Sequence, residues 1–174
     1  MLKCIVKTDL LKKIKKVRIL FIFLIFQFLF SGDLPPYQRT RDRQVDIHHI
    51  KININVSLKN KSVKGHVVHT LSPLSDKLDE IIIDGEDMKI SRVRLDGKDI
   101  SFTQGEELIY LNLYNPIGWE DTVDIRIDYF SKPKKGLYFI SPDEDYPEKN
   151  WQAWTQGEEE DNHHWVPIYD YPND

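Results

Sequence analysis

The chain has 174 residues, 40% hydrophobic and 30% charged, with a formal net charge of −4. That composition describes a globular protein long enough for one domain with a real core, and it excludes collagen-like, coiled-coil and disordered classes. The single cysteine, Cys4, excludes an internal disulfide and any cysteine-based zinc site.

The first element in chain order is a targeting segment. Lys3, Lys7, Lys12, Lys13, Lys15, Lys16 and Arg18 face one acid, Asp9, and the apolar run Ile19 to Phe30 follows, then Ser31 and Gly32. Charged, apolar, then small residues is the order of a secretory signal, and the run is shorter than the roughly 20 residues that span a bilayer. Residues 1–32 are therefore read as a cleaved signal helix, with an uncleaved membrane anchor as the alternative. The protein is expected to be secreted or periplasmic, in contact with a membrane only if the segment is retained. Its removal leaves 17 basic and 27 acidic residues, a net of about −10. An acidic domain is a poor partner for nucleic acid, which demands clustered Lys and Arg. The remaining basic clusters, Arg39-Thr40-Arg41-Asp42-Arg43 and Lys132-Pro133-Lys134-Lys135, read as solvated linker and turn.

After a linker over 33–44, the pattern turns to strands. Ile50, Ile52, Ile54, Val56 and Leu58 alternate with Lys51, Asn53, Asn55, Ser57 and Lys59, which predicts a strand with one dry and one wet face. Asn60-Lys61 can turn the chain into a β-branched run from Val63 to Leu71, and Leu78 to Ile83 is another short strand. Asp96-Gly97 between Val93-Leu95 and Ile100-Phe102 is a hairpin signal. Gln104-Gly105-Glu106 turns the chain again, into Ile109, Leu111 and Leu113, and Val123, Ile125, Ile127 and Tyr129 form one more alternating strand. Strands at this spacing predict an all-β fold, a curved antiparallel sheet or sandwich, over 45–174. From Ser131 to Asp145 the chain is loop-rich, and beyond it aromatic and acidic residues crowd together, as they do around sites.

That last segment reads Gly136-Leu137-Tyr138-Phe139, then Thr155-Gln156-Gly157-Glu158, then Pro167-Ile168-Tyr169-Asp170-Tyr171-Pro172. It resembles the N-terminal domain of the aminopeptidase N family, which includes the leukotriene hydrolase. There a Gly-Leu-Tyr-like strand leads to Thr-Gln-x-Glu, an Arg follows five residues later, and a Pro-Cys-x-Asp-x-Pro turn closes the segment. Thr155, Gln156, Glu158, Pro167, Asp170 and Pro172 match without a gap, and the strands before them resemble the family's saddle-shaped β domain. Two positions depart from the pattern. His163 replaces the Arg, which is read as a change either at the surface or in the layer behind the site residues, and Ile168 replaces the Cys, a change that keeps the packing role.

The resemblance implies the N-terminal part of a secreted zinc aminopeptidase that removes N-terminal residues from peptides. Glu158 would be the anion that recognises the substrate ammonium and Gln156 a neutral acceptor beside it. Another reading makes Glu158 the first of four acids at a solvated helix start, where negative charge is favoured. His-Glu-x-x-His and Gly-x-Met-Glu-Asn are both absent from the sequence. The 174-residue chain, truncated before the catalytic domain, is therefore expected to hold no catalytic residue, and zinc belongs to the full-length enzyme. The pairs His48-His49 and His163-His164 are expected not to bind metal, because adjacent side chains on a helix or strand diverge. Trp151, Trp154 and Trp165 read as core or interface residues rather than a ligand cage. Expected partners are peptide N-termini and a catalytic domain outside this sequence. The rivals are a non-catalytic secreted β-sandwich that binds partners and a membrane-anchored structural domain.

Overall fold

The structure is a computed structural model that describes residues 41–171. The signal segment, residues 33–40 of the linker, and Pro172 lie outside the described residues. Among the described residues ten strands are present: β1 Val45–Ser57, β2 Ser62–Pro73, β3 Leu78–Asp84, β4 Met88–Leu95, β5 Lys98–Asp99, β6 Ser101–Gln104, β7 Leu108–Ile117, β8 Val123–Ser131, β9 Leu137–Ile140 and β10 Gln152–Thr155. Among the described residues the one helical element is the 3₁₀ turn Asn162–His164. The all-β, antiparallel expectation therefore stands.

The strands form a five-stranded sheet in the order β1-β2-β8-β4-β5, a three-stranded sheet in the order β3-β7-β6, and the two-stranded ribbon β10-β9. Period-two alternation explains why the two larger sheets share a core. Val63, Val67, Leu71, Val93, Val123, Ile125 and Ile127 point inward from the first, and Ile81, Ile83, Ile109 and Leu111 from the second. Each fully buried Ile or Leu contributes about 1.5–3 kcal/mol relative to exposure. The predicted turns are also in place. Lys61 has φ 47°, and Asp96 and Gly97 have φ 47° and 80°, the left-handed pair that a two-residue hairpin requires.

Two expectations need correction. The second arm of the Asp96-Gly97 hairpin is only the two residues of β5. Buried Ile100 then carries the chain across, and β6 joins β7 in the other sheet. The hairpin signal was local, whereas the sheet each arm joins is decided by long-range packing. The dry face of β1 is also only partly dry. Ile50 and Ile54 pack against the core, but Ile52 and Val56 remain 41% and 38% exposed at the sheet edge.

Candidate functional site

The site segment is built on the ribbon. Leu137 pairs with Thr155, and the Gln156 amide donates to Gly136 O at 2.9 Å, so the chain leaves β10 directly into Gln156-Gly157-Glu158. Gly136 has φ 72°, and a Cβ there would lie 1.9 Å from Asp161 O. No side chain fits, because the ribbon and the turn before the 3₁₀ segment meet backbone to backbone. Gly136→Ala is expected to destabilise the domain by about 2 kcal/mol or more, from left-handed strain plus displacement of Asp161. A drop in thermal midpoint with altered signals from 155–165 would show it.

Gln156 and Glu158 are both exposed, with Gln156 Nε2 3.5 Å from Glu158 Oε2. The two side chains thus converge on one spot. To accept from an ammonium there, the Gln156 amide must turn its carbonyl inward. Glu158 does not start an α-helix. Residues 158–161 are a turn that leads into three residues of 3₁₀, where Asp161 makes no side-chain cap. The acidic run therefore precedes no α-helix, only a 3₁₀ turn that Asp161 leaves uncapped by its side chain.

Behind the turn lies a polar cluster. Asp170 accepts from His163 N at 2.9 Å, and its Oδ2 is 3.1 Å from His163 Nδ1. Asn162 donates to its other oxygen at 3.3 Å. The Asp170 carboxyl raises the His163 pKa above its ordinary value. Burial pushes the Asp170 pKa upward, but the hydrogen bonds from His163 and Asn162 outweigh it and hold Asp170 low. Of the two positions expected for His163, the structure has the inner one: it is half-buried and bonded to the acid of the proline turn.

That turn is anchored across the chain. Asp84 and Ile168 exchange backbone hydrogen bonds at 3.0 Å, and Ile168 packs against the core, as its size allows. Asp84 Oδ2 accepts from the Asp170 amide at 3.0 Å, and Arg41 grips both Asp84 oxygens at 2.8 Å while lying over the Tyr169 ring. His69 in β2 is fully buried, with Nε2 2.9 Å from Pro167 O. A carbonyl only accepts, so Nε2 carries the proton.

The Lys132-Pro133-Lys134-Lys135 cluster is an exposed turn, as expected, while Arg41 departs from the solvated reading. Arg41 is mostly buried against Asp84, and Lys134 bonds Asp87 at 2.7 Å. Trp154 is 47% exposed and stacks on Tyr138 with centroids 4.8 Å apart, Trp151 is 39% exposed, and only Trp165 packs on the core. Sequence reasoning missed Asp84, Glu86, Asp87 and His69. The run Asp84-Gly85-Glu86-Asp87 was a visible acidic turn, but nothing local pairs it with residues 163–170.

A family model for the Peptidase M1 N-terminal domain matches residues 45–174. The chain belongs to the M1 peptidase N-terminal domain family. Native leukotriene A4 hydrolase from Saccharomyces cerevisiae superposes on this M1 domain with a TM-score of 0.63 at 19% identity, over 74% of this chain and 22% of that one. An M1 zinc metallopeptidase from Deinococcus radiodurans superposes with a TM-score of 0.56 at 20% identity, over 76% and 31%. Leucine aminopeptidase 2-1 from Scheffersomyces stipitis is 25% identical over 72 residues, which are 41% of this chain and 11% of that protein. The M1 domain thus spans less than a third of each relative. It carries no His-Glu-x-x-His, so its own residues do not supply that ligand pair for the family's catalytic zinc.

One premise of the sequence reading is overturned in the M1 domain. His163 and His164 do not diverge. Their rings stack with centroids 4.5 Å apart, because they sit at the end of a short 3₁₀ turn and face Glu86 together.

Proposed function

We propose that this domain supplies the amine-recognition loop of a zinc aminopeptidase that hydrolyses N-terminal residues from peptides, with the catalytic domain outside this sequence. The observation that carries the reading is the convergence of Gln156 and Glu158 on an exposed loop whose base is fixed. An enzyme that removes one residue at a time needs a fixed anion for the free ammonium and an acceptor beside it. The ribbon β9-β10 and the Asp84-Asp170 anchor hold such a loop still. Taken with the apolar run after a basic start, the same reading places the enzyme outside the cytoplasm, after signal cleavage near Ser31 to Asp33.

The test is the requirement for a free amine in an aminopeptidase that carries this domain. Peptides with a free N-terminus are expected to compete for the site, and the same peptides N-acetylated are not. Glu158→Gln should erase most of that preference. Equal competition by both peptide forms in the unmodified enzyme would remove the amine-recognition role and favour the non-catalytic binding module.

A further inference from the structure

The face of the cluster turned toward the β3-β4 connection holds three ligating groups that the amine-recognition reading does not use. Glu86 Oε2 lies 3.8 Å from His163 Nε2 and 3.7 Å from His164 Nδ1, and one ligand atom from each of the three residues falls within 4.8 Å of the others. Asp87 Oδ2 stands 3.3 Å from His164 Nδ1. Zinc bonds to N and O of about 2.0–2.2 Å put tetrahedral ligand atoms roughly 3.3–3.6 Å apart. The two Glu86 to histidine distances, 3.8 and 3.7 Å, lie just outside that range, and side-chain rotation within the 4.8 Å group would close the rest.

Two further observations point to a ligand. The His164 side chain is 5% exposed, yet its Nδ1 has no hydrogen-bond partner, and neither does Asp87 Oδ2 facing it. The two atoms meet as an ion pair 3.3 Å apart that falls short of hydrogen-bond geometry, an arrangement that a bridging cation would satisfy fully. His163 supplies the second. Its Nδ1 bonds the Asp170 carboxylate, which leaves Nε2 as the lone-pair nitrogen facing Glu86. A carboxylate on the far nitrogen is the usual support of a metal-bound imidazole.

The frame is rigid as well. Glu86 N donates to His163 O at 3.0 Å, and the Ser131 hydroxyl lies 2.8 Å from His164 O and 3.1 Å from Asp87 O. The two segments that hold the ligands are therefore stitched together before any ion arrives.

We propose that Glu86, His163 and His164 bind one zinc-class divalent cation, with Asp87 Oδ2 or a water as fourth ligand. Imidazole nitrogen with carboxylate oxygen suits zinc better than calcium or magnesium, which favour all-oxygen shells. The ion clamps the turn that follows Glu158 to the β3-β4 connection, so its effect is on the stability and position of the loop.

The full chain, stripped with chelator, is titrated with zinc chloride by calorimetry and followed by thermal unfolding. One equivalent should bind saturably, and the unfolding midpoint should rise with zinc and stay still with magnesium. Glu86→Gln keeps side-chain volume and should weaken zinc by more than about 100-fold, since even outer partners of ligands are worth about 10–100-fold. Circular dichroism of the zinc-free variant checks that it is folded. His48→Gln/His49→Gln, at the exposed pair on β1, should leave binding unchanged. No saturable equivalent at micromolar zinc overturns the proposal, as does binding that survives Glu86→Gln or disappears with the His48/His49 variant.

Discussion

In an aminopeptidase that carries this domain, Glu158→Ala is expected to lower kcat/KM by tens to thousands of fold, with fold and zinc content of the enzyme unchanged. The size of the effect decides between two readings. In the domain by itself Glu158 is exposed, and an exposed ion pair is worth about 0–1 kcal/mol, less than a factor of ten. Truncating one partner of a buried, hydrogen-bonded charge pair costs about 2–5 kcal/mol. At roughly 1.4 kcal/mol per factor of ten, that cost gives the larger range. A large effect therefore means that the loop is enclosed when it meets a peptide. Gln156→Ala should cost less, about 0.5–1.5 kcal/mol, because its hydrogen bond is neutral. Glu106→Ala, in the other Gln-Gly-Glu of the chain, should change nothing, because that copy is the turn between β6 and β7. Full activity of Glu158→Ala on peptides with free N-termini would end the assignment.

The all-β fold was legible because its signals are local. Alternation in β1 and β8, the β-branched run of β2 and the turns at Lys61, Asp96-Gly97 and Gly105 each act within a few residues. β10 was not read as a strand, because Gln152-Ala153-Trp154-Thr155 is four residues without clear alternation. It becomes a strand only by pairing with β9. Met88 to Arg92 of β4 went unread for a similar reason, as Lys89, Ser91 and Arg92 dilute the pattern that Ile90 and Val93 set.

The loop carrying Gln156 and Glu158 was legible only through resemblance, since a Gln and a Glu two residues apart have no chemistry that spacing reveals. What fixes the loop lay beyond sequence reasoning. The contacts of Asp84 with Ile168 and Asp170, and of His69 with Pro167, join residues 84 to 98 positions apart. Only the packed sheets bring them together. The rule that neighbouring side chains diverge describes α-helix and strand, and it fails for His163 and His164 because both sit at the end of a three-residue 3₁₀ turn.

His69 should make the domain lose stability in mild acid. It is fully buried in β2 with a single bond, to Pro167 O, and burial lowers its pKa to about 4 from an ordinary 6.5. The folded state therefore excludes a proton that the unfolded chain accepts. Stability from this group is complete above pH 6.5, falls as pH drops and levels off below about 4, because the slope follows the excess of protons bound by the unfolded state. Over that span the loss is about 3 kcal/mol, at roughly 1.4 kcal/mol per unit. Apart from His66, the other shifted groups act elsewhere on the scale. His163, with a raised pKa, loses its contribution as pH rises above 6.5, the opposite sign. Asp87, Asp128 and Asp170, with lowered pKa values, lose theirs only as pH falls below about 3.8. The interval from 6.5 to 4 is therefore shared by His69, which is fully buried, and His66, whose pKa burial and then Arg126 also lower and which acts with the same sign. Urea unfolding of chelator-treated protein at steps across it should show a falling midpoint, and His69→Gln, which keeps a donor for Pro167 O, should flatten the curve. If the midpoint fell as steeply in His69→Gln as in the parent, the acid sensitivity would have another source, and His69 would not be the neutral pin that holds the Pro167 turn against β2.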